Sequence, residues 1–103
     1  AVLRLLASGY TFDGLFCLSD AIAMAAINAL NEHGMTVPGD VAVVGYDDIS
    51  LARYYTPSIT TVYQDRELGG RWLVDKLLRL IDGERVESSM LPTEIILRNS
   101  SQR

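Results

Sequence analysis

Val41-Ala42-Val43-Val44-Gly45-Tyr46-Asp47-Asp48 is an apolar run of strand type that stops abruptly in a glycine, an aromatic ring and two adjacent carboxylates. Four small or β-forming residues without polar alternation fit a strand covered on both faces, the habit of parallel sheets packed between helices. Asp47 and Asp48 then stand past the carboxyl end of a strand, where ligands usually bind in such sheets.

Working outward, Val37-Pro38-Gly39-Asp40 is a turn by composition, since proline fixes φ and glycine accepts conformations other residues avoid. Before it, Ile22, Ala23, Ala26, Ile27 and Leu30 recur at helical spacing over 21–32, with Ser19 or Asp20 as N-cap and Gly34 as stop. Gly14 to Leu18 is a short apolar run suited to a buried strand. Val2, Leu3, Leu5 and Leu6 share one helical face that Gly9 terminates.

After the acids, 49–55 has room for one or two helical turns, which Pro57 closes by biasing Thr56 to extended geometry. Ile59-Thr60-Thr61-Val62-Tyr63 is β-branched and aromatic and reads as a strand. Asp65 caps a long helix over 66–81, whose Trp72, Leu73, Leu77, Leu80 and Ile81 form a broad apolar side ended by Gly83. Ile95-Ile96-Leu97 supplies a last strand. Strands alternating with helices predict an α/β fold with a doubly wound parallel sheet.

Bulk properties narrow the function classes. A chain of 103 residues, 49% hydrophobic and 21% charged, holds one core. A net charge of -4, with Lys76 the only lysine and the arginines scattered, argues against gripping a phosphate backbone. The single cysteine, Cys17, reads as a small buried hydrophobe in a reducing, cytoplasmic setting. The apolar stretch 21–30 is far below the roughly 20 residues of a membrane span. Ala1 is not a start residue and the chain opens in mid-helix pattern, so a fragment is expected.

Residues just past the expected strands are Ser19 and Asp20, Asp47 and Asp48, Gln64 and Asp65, all polar after strands that are nearly all apolar. Carboxylates accept several hydrogen bonds, and an amide both donates and accepts. The set therefore suits hydroxyl-rich molecules such as sugars or nucleosides. Plainer readings stand beside this one: Asp20 and Asp65 also work as helix caps, Asp48 can cap the turn at Ile49, and Gln64 can be a solvated strand end. His33 reads as a helix C-terminal residue. No nucleophile and base are paired, and no cofactor or catalytic role is implied. An alternative reading takes Asp20, Asp47 and Asp48 as a Mg²⁺ site for phosphoryl transfer, but no lysine follows a strand to complete it.

Several motifs, in order, resemble the effector-binding domain of lactose-repressor/galactose-repressor family transcription regulators: 16–20, 23–26, 37–48, 52–57 and 60–62. The resemblance implies the C-terminal part of a two-lobed sensor shaped like a periplasmic sugar-binding protein, with a small effector held between lobes. An exported sugar-binding protein of a transport system shares that fold and is the alternative. By the resemblance Asp47 is the ligand-contacting carboxylate, Ser19 and Gln64 line the pocket, and Asp20 is a weaker candidate.

The same resemblance implies a homodimer surface at Met24, Ile27, Asn28, Leu51, Ala52, Tyr54 and Tyr55. DNA would be bound only through an N-terminal helix-turn-helix absent from this chain. It also divides the chain into 1–63 in the C-terminal lobe, a crossover with its helix at 64–93 that packs on the other lobe, and a returning strand and tail at 94–103.

Overall fold

The computed structural model describes residues 1–103. The elements run α1 (Val2–Ala7), β1 (Gly14–Phe16), α2 (Asp20–Glu32), β2 (Ala42–Val44), a 3-10 turn (Ser50–Arg53), β3 (Thr61–Gln64), α3 (Arg66–Ile81) and β4 (Thr93–Ile96). They fall into two compact units: Ala1–Tyr63 with Ile95–Arg103, and Gln64–Glu94.

In the first unit β1 and β2 run parallel, pairing Gly14 with Ala42, Leu15 with Val43 and Phe16 with Val44. A parallel bridge from Val44 to Thr60 continues the order toward β3, which also pairs with β4. The expected α/β architecture with parallel strands is therefore present, though the regular strands are shorter than the apolar runs that encode them. The returning tail explains part of the shortening. Ser100 is fully buried; its carbonyl accepts from the Val43 amide at 2.8 Å, and its hydroxyl donates to the Val43 carbonyl at 2.6 Å and accepts from the Thr60 amide at 2.8 Å. A tail serine thus takes ladder positions that sheet neighbours would otherwise fill.

The core is Cys17, Ala23, Ala26, Ile27, Leu30, Val41, Val43, Ala52 and Ile59. α2 contributes four of these, so its i, i+3, i+4, i+7 stripe is what seats it on the sheet. Ser19 is its N-cap, accepting from the Ile22 amide at 3.3 Å. Gly34 at φ +75° lets the chain leave the helix, a conformation that costs other residues free energy.

The second unit is built on α3, capped by Asp65 through the Leu68 amide at 2.9 Å. None of its sixteen residues is buried. No helix of the chain is long and apolar enough to cross a membrane.

Candidate functional site

The turn after β2 is shaped by a carboxylate beneath it. Asp20 opens α2, is fully buried, and accepts from the Thr61 hydroxyl at 2.5 Å through Oδ1 and from the Ile49 amide at 2.8 Å through Oδ2. Its own amide donates to the Tyr46 carbonyl at 2.9 Å. Aligned amides at a helix start favour negative charge there. Gly45 is the residue that permits this approach: a Cβ at that position would lie 2.2 Å from Asp20 Oδ1.

Past Gly45 the backbone turns left-handed at two consecutive non-glycine residues, Asp47 at φ +98° and Asp48 at φ +47°. Conformations of this kind cost on the order of 1–3 kcal/mol each and persist where surroundings impose them. Here the surroundings are hydrogen bonds from the Asp47 amide to the Val62 carbonyl at 2.9 Å and from the Asp48 amide to Thr61 Oγ1 at 3.3 Å, with the Ile49 amide held by Asp20.

The residues expected at strand ends meet different fates. Ser19, Asp20 and Asp47 gather in the first unit, linked by the Asp20–Tyr46 hydrogen bond. Ser19 is half-buried and Asp47 half-buried, whereas both oxygens of Asp20 are engaged within the protein. Gln64 begins the second unit.

Asp48 does not cap the 3-10 turn. The residue before that turn is Ile49, without a side-chain cap, and the Asp48 carboxylate instead pairs with Arg98 at 2.7 Å. A partly desolvated guanidinium attracts a carboxylate more strongly than one backbone amide does. Nor do Asp20, Asp47 and Asp48 converge into a group able to hold a metal, because two of the three are turned toward other partners.

Three features escaped sequence reasoning. Phe16 and Tyr46 meet edge to face at the carboxyl ends of β1 and β2, their ring centroids 6.4 Å apart at 85°. Leu18, two residues past the end of β1, is 80% exposed. Arg98 is the third, fifty residues from its partner. The pattern F-C-L-S-D, apolar residues continuing to the very end of a strand, was the available signal for Phe16 and Leu18. Cys17 in that run is buried, and burial pushes its thiol above the ordinary range.

The expected dimer surface divides. Leu51 and Tyr54 are 63% and 77% exposed, and Asn28 is exposed. The Tyr55 hydroxyl donates to Asn28 Oδ1 at 2.5 Å and approaches the Met24 carbonyl at 3.2 Å, so α2 and the segment after the 3-10 turn form one face. Ile27 and Ala52 are corrected: both are fully buried core residues that support this face and present no surface of it. Helical spacing put Ile27 one position from Asn28 but on the core side of α2.

Within the second unit a hollow of about 680 Å³ is lined by Gln64, Arg66, Trp72, Lys76, Ser89 and neighbours. Lys76 reaches the Ser89 hydroxyl at 2.6 Å, bringing the loop after α3 back along the helix.

Parallel strands under helices, with polar groups gathered past their carboxyl ends, are in keeping with a periplasmic-binding-protein-like fold. Residues 3–101 match the family described as Periplasmic binding protein-like domain. The chain is 40% identical over 89 residues to the HTH-type transcriptional repressor PurR of Aliivibrio fischeri, covering 84% of this chain and 26% of that protein. It is 39% identical over 102 residues to PurR of Haemophilus influenzae, covering 94% and 30%.

Among solved structures it superposes on the Lac repressor dimer bound to operator and the anti-inducer ONPF with a TM-score of 0.88, 33% identity, and coverage of 99% of this chain and 31% of that one. The transcriptional regulator CelR in complex with cellobiose gives 0.86, 39%, and coverage of 97% and 31%. The chain belongs to the lactose-repressor/galactose-repressor family, as part of its effector-binding domain. It spans between a quarter and a third of the length of these relatives, all of them transcription regulators rather than transport proteins.

Proposed function

We propose that this chain is the effector-sensing and dimerising portion of a cytoplasmic DNA-binding repressor, and that it takes a small effector of the sugar or nucleoside/purine class between two lobes. The observation that carries the reading is Asp47, a carboxylate held at φ +98° at the carboxyl end of the central strand. Strain imposed by surrounding hydrogen bonds is a mark of positions kept for binding.

Ser19 and Gln64 are further ligand groups in this reading. Asp20 lies behind the turn, since its oxygens already hold Ile49 and Thr61. The Phe16–Tyr46 pair offers an apolar edge to the non-polar face of a sugar or base. The CelR relative in complex with cellobiose supports the sugar side of the proposal. Dimerisation uses Leu51, Tyr54, Tyr55, Met24 and Asn28, as exposed aromatic residues beside aliphatic ones favour interface centres. DNA is reached through a helix-turn-helix elsewhere in the full-length protein. Effector acts by binding one arrangement of the lobes better than the other, which shifts their population and changes how the dimer presents its DNA-reading heads.

The test is calorimetry on the full-length protein with cellobiose, other disaccharides, guanine and adenosine. One of these probes is expected to bind, and Asp47→Ala is expected to weaken it by roughly 100-fold or more, about 2.8 kcal/mol, with the dimer intact in sedimentation. Unchanged affinity in Asp47→Ala would overturn the reading.

A further inference from the structure

The ligand turn is reached by one side chain from the far end of the chain. Arg98 donates through one terminal nitrogen to Asp48 Oδ1 at 2.7 Å and through the other to the Ile59 carbonyl at 2.9 Å. Both side chains of the ion pair are mostly buried, 14% and 13% exposed. The Arg98 backbone is fixed too: its amide donates to Thr60 Oγ1 at 2.8 Å, and its carbonyl accepts from the same hydroxyl at 2.9 Å. The guanidinium therefore spans from the start of the Ile59–Val62 segment to the turn that carries Asp47, and its own root is anchored on that segment.

Asp48 is one of the two left-handed residues, and its carboxylate is what Arg98 holds. Take the cation away, and a mostly buried carboxylate is left without its partner at a residue whose backbone is already strained. The inexpensive response is for the turn to relax toward right-handed φ and carry the carboxylate to solvent. Asp47 is the preceding residue and would swing with it.

We propose that Arg98 is a positioning residue for the effector site, which by gripping Asp48 holds the 46–49 turn in the left-handed conformation that presents Asp47. Arg98 acts through Asp48 and touches no effector. The consequence for effector rests on the function proposed above; the effect on the turn does not.

Two measurements on the full-length protein separate them. Hydrogen exchange is read at the amides of Asp47, Asp48 and Ile49, each bonded in the structure, and at those of Asn99 to Ser101. Arg98→Met is expected to speed exchange at the first three by roughly tenfold or more. Asp48→Asn, which keeps an acceptor for Arg98, is expected to do so by less. Exchange that rises only at 99–101 would show Arg98 to be a tail anchor and overturn the proposal. If Arg98→Met does not fold, Arg98→Gln serves, since it also removes the cation that pairs with Asp48 while keeping a polar side chain; wild-type exchange at 47–49 there would overturn it equally. Affinity for the probe that binds the wild type is then compared. A loss in Asp47→Ala without one in Arg98→Met sinks the positioning role alone, whereas no loss in Asp47→Ala sinks the effector reading and leaves the exchange result standing.

Discussion

Asp47 and Gly45 show how much of this site is backbone. At φ +98° an aspartate is strained where a glycine would not be, so Asp47→Gly is expected to raise stability by about 0.5–1 kcal/mol, measured in urea, while abolishing effector binding. Opposite signs for stability and binding distinguish a functional carboxylate from a structural one. Gly45 shows the reverse constraint. Its missing Cβ leaves room for Asp20 Oδ1, and any side chain there would push against both that oxygen and, at 3.1 Å, the Asp20 backbone. Gly45→Ala is therefore expected to cost about 1–3 kcal/mol in thermal or chemical unfolding and to loosen the Ile49 amide. Equal stability in Gly45→Ala would mean that Asp20 moves freely, contrary to its two short hydrogen bonds.

Elements whose ends are coded by neighbours were readable from the chain. Gly9, Gly34 and Gly83 all take positive φ just after a helix, and Ser19 and Asp65 cap the next ones, because caps and stops join residues no more than four apart. The turn before β2 belongs here as well. The Asp40 carboxylate accepts from the Thr36 amide at 2.6 Å and hydroxyl at 2.7 Å, and those bonds, the backbone one foremost, hold its pKa below the usual carboxylate value. A group whose folded pKa is depressed contributes stability above the unfolded pKa and loses it as pH falls through the folded one. Acid below about pH 4 is thus expected to loosen this turn, and Asp40→Asn to remove that part of the pH dependence in a stability profile run from about pH 5 down to about 2. What could not be read was long-range: Arg98 with Asp48, and Ser100 with Val43. Those partners are set by how strands stack, and no local spacing records which tail residue will lie beside which strand.

At the level of the whole molecule, the open question is what covers α3. A sixteen-residue helix is marginal alone in water, and this one carries Leu73, Val74, Leu77, Leu78, Leu80 and Ile81 all more than half exposed. Each leucine that found a cover would contribute about 1.5–3 kcal/mol, more than enough to decide whether the helix persists. We propose that the cover is the other lobe of the sensor, in residues of the longer protein beyond these 103, in keeping with a chain that spans under a third of its relatives. The 103-residue chain by itself is then expected to bury the face by self-association, as large exposed apolar patches usually do. Sedimentation should show oligomers that grow with concentration, and Leu73→Lys with Leu77→Lys should return the chain to monomer with less helix by circular dichroism. In the full-length protein the same pair should instead lower the unfolding midpoint, because there it leaves two charges beneath a lobe. A monodisperse wild-type monomer that keeps α3 helical would show that the helix needs no cover, and the division of this chain between two lobes would lose its energetic basis.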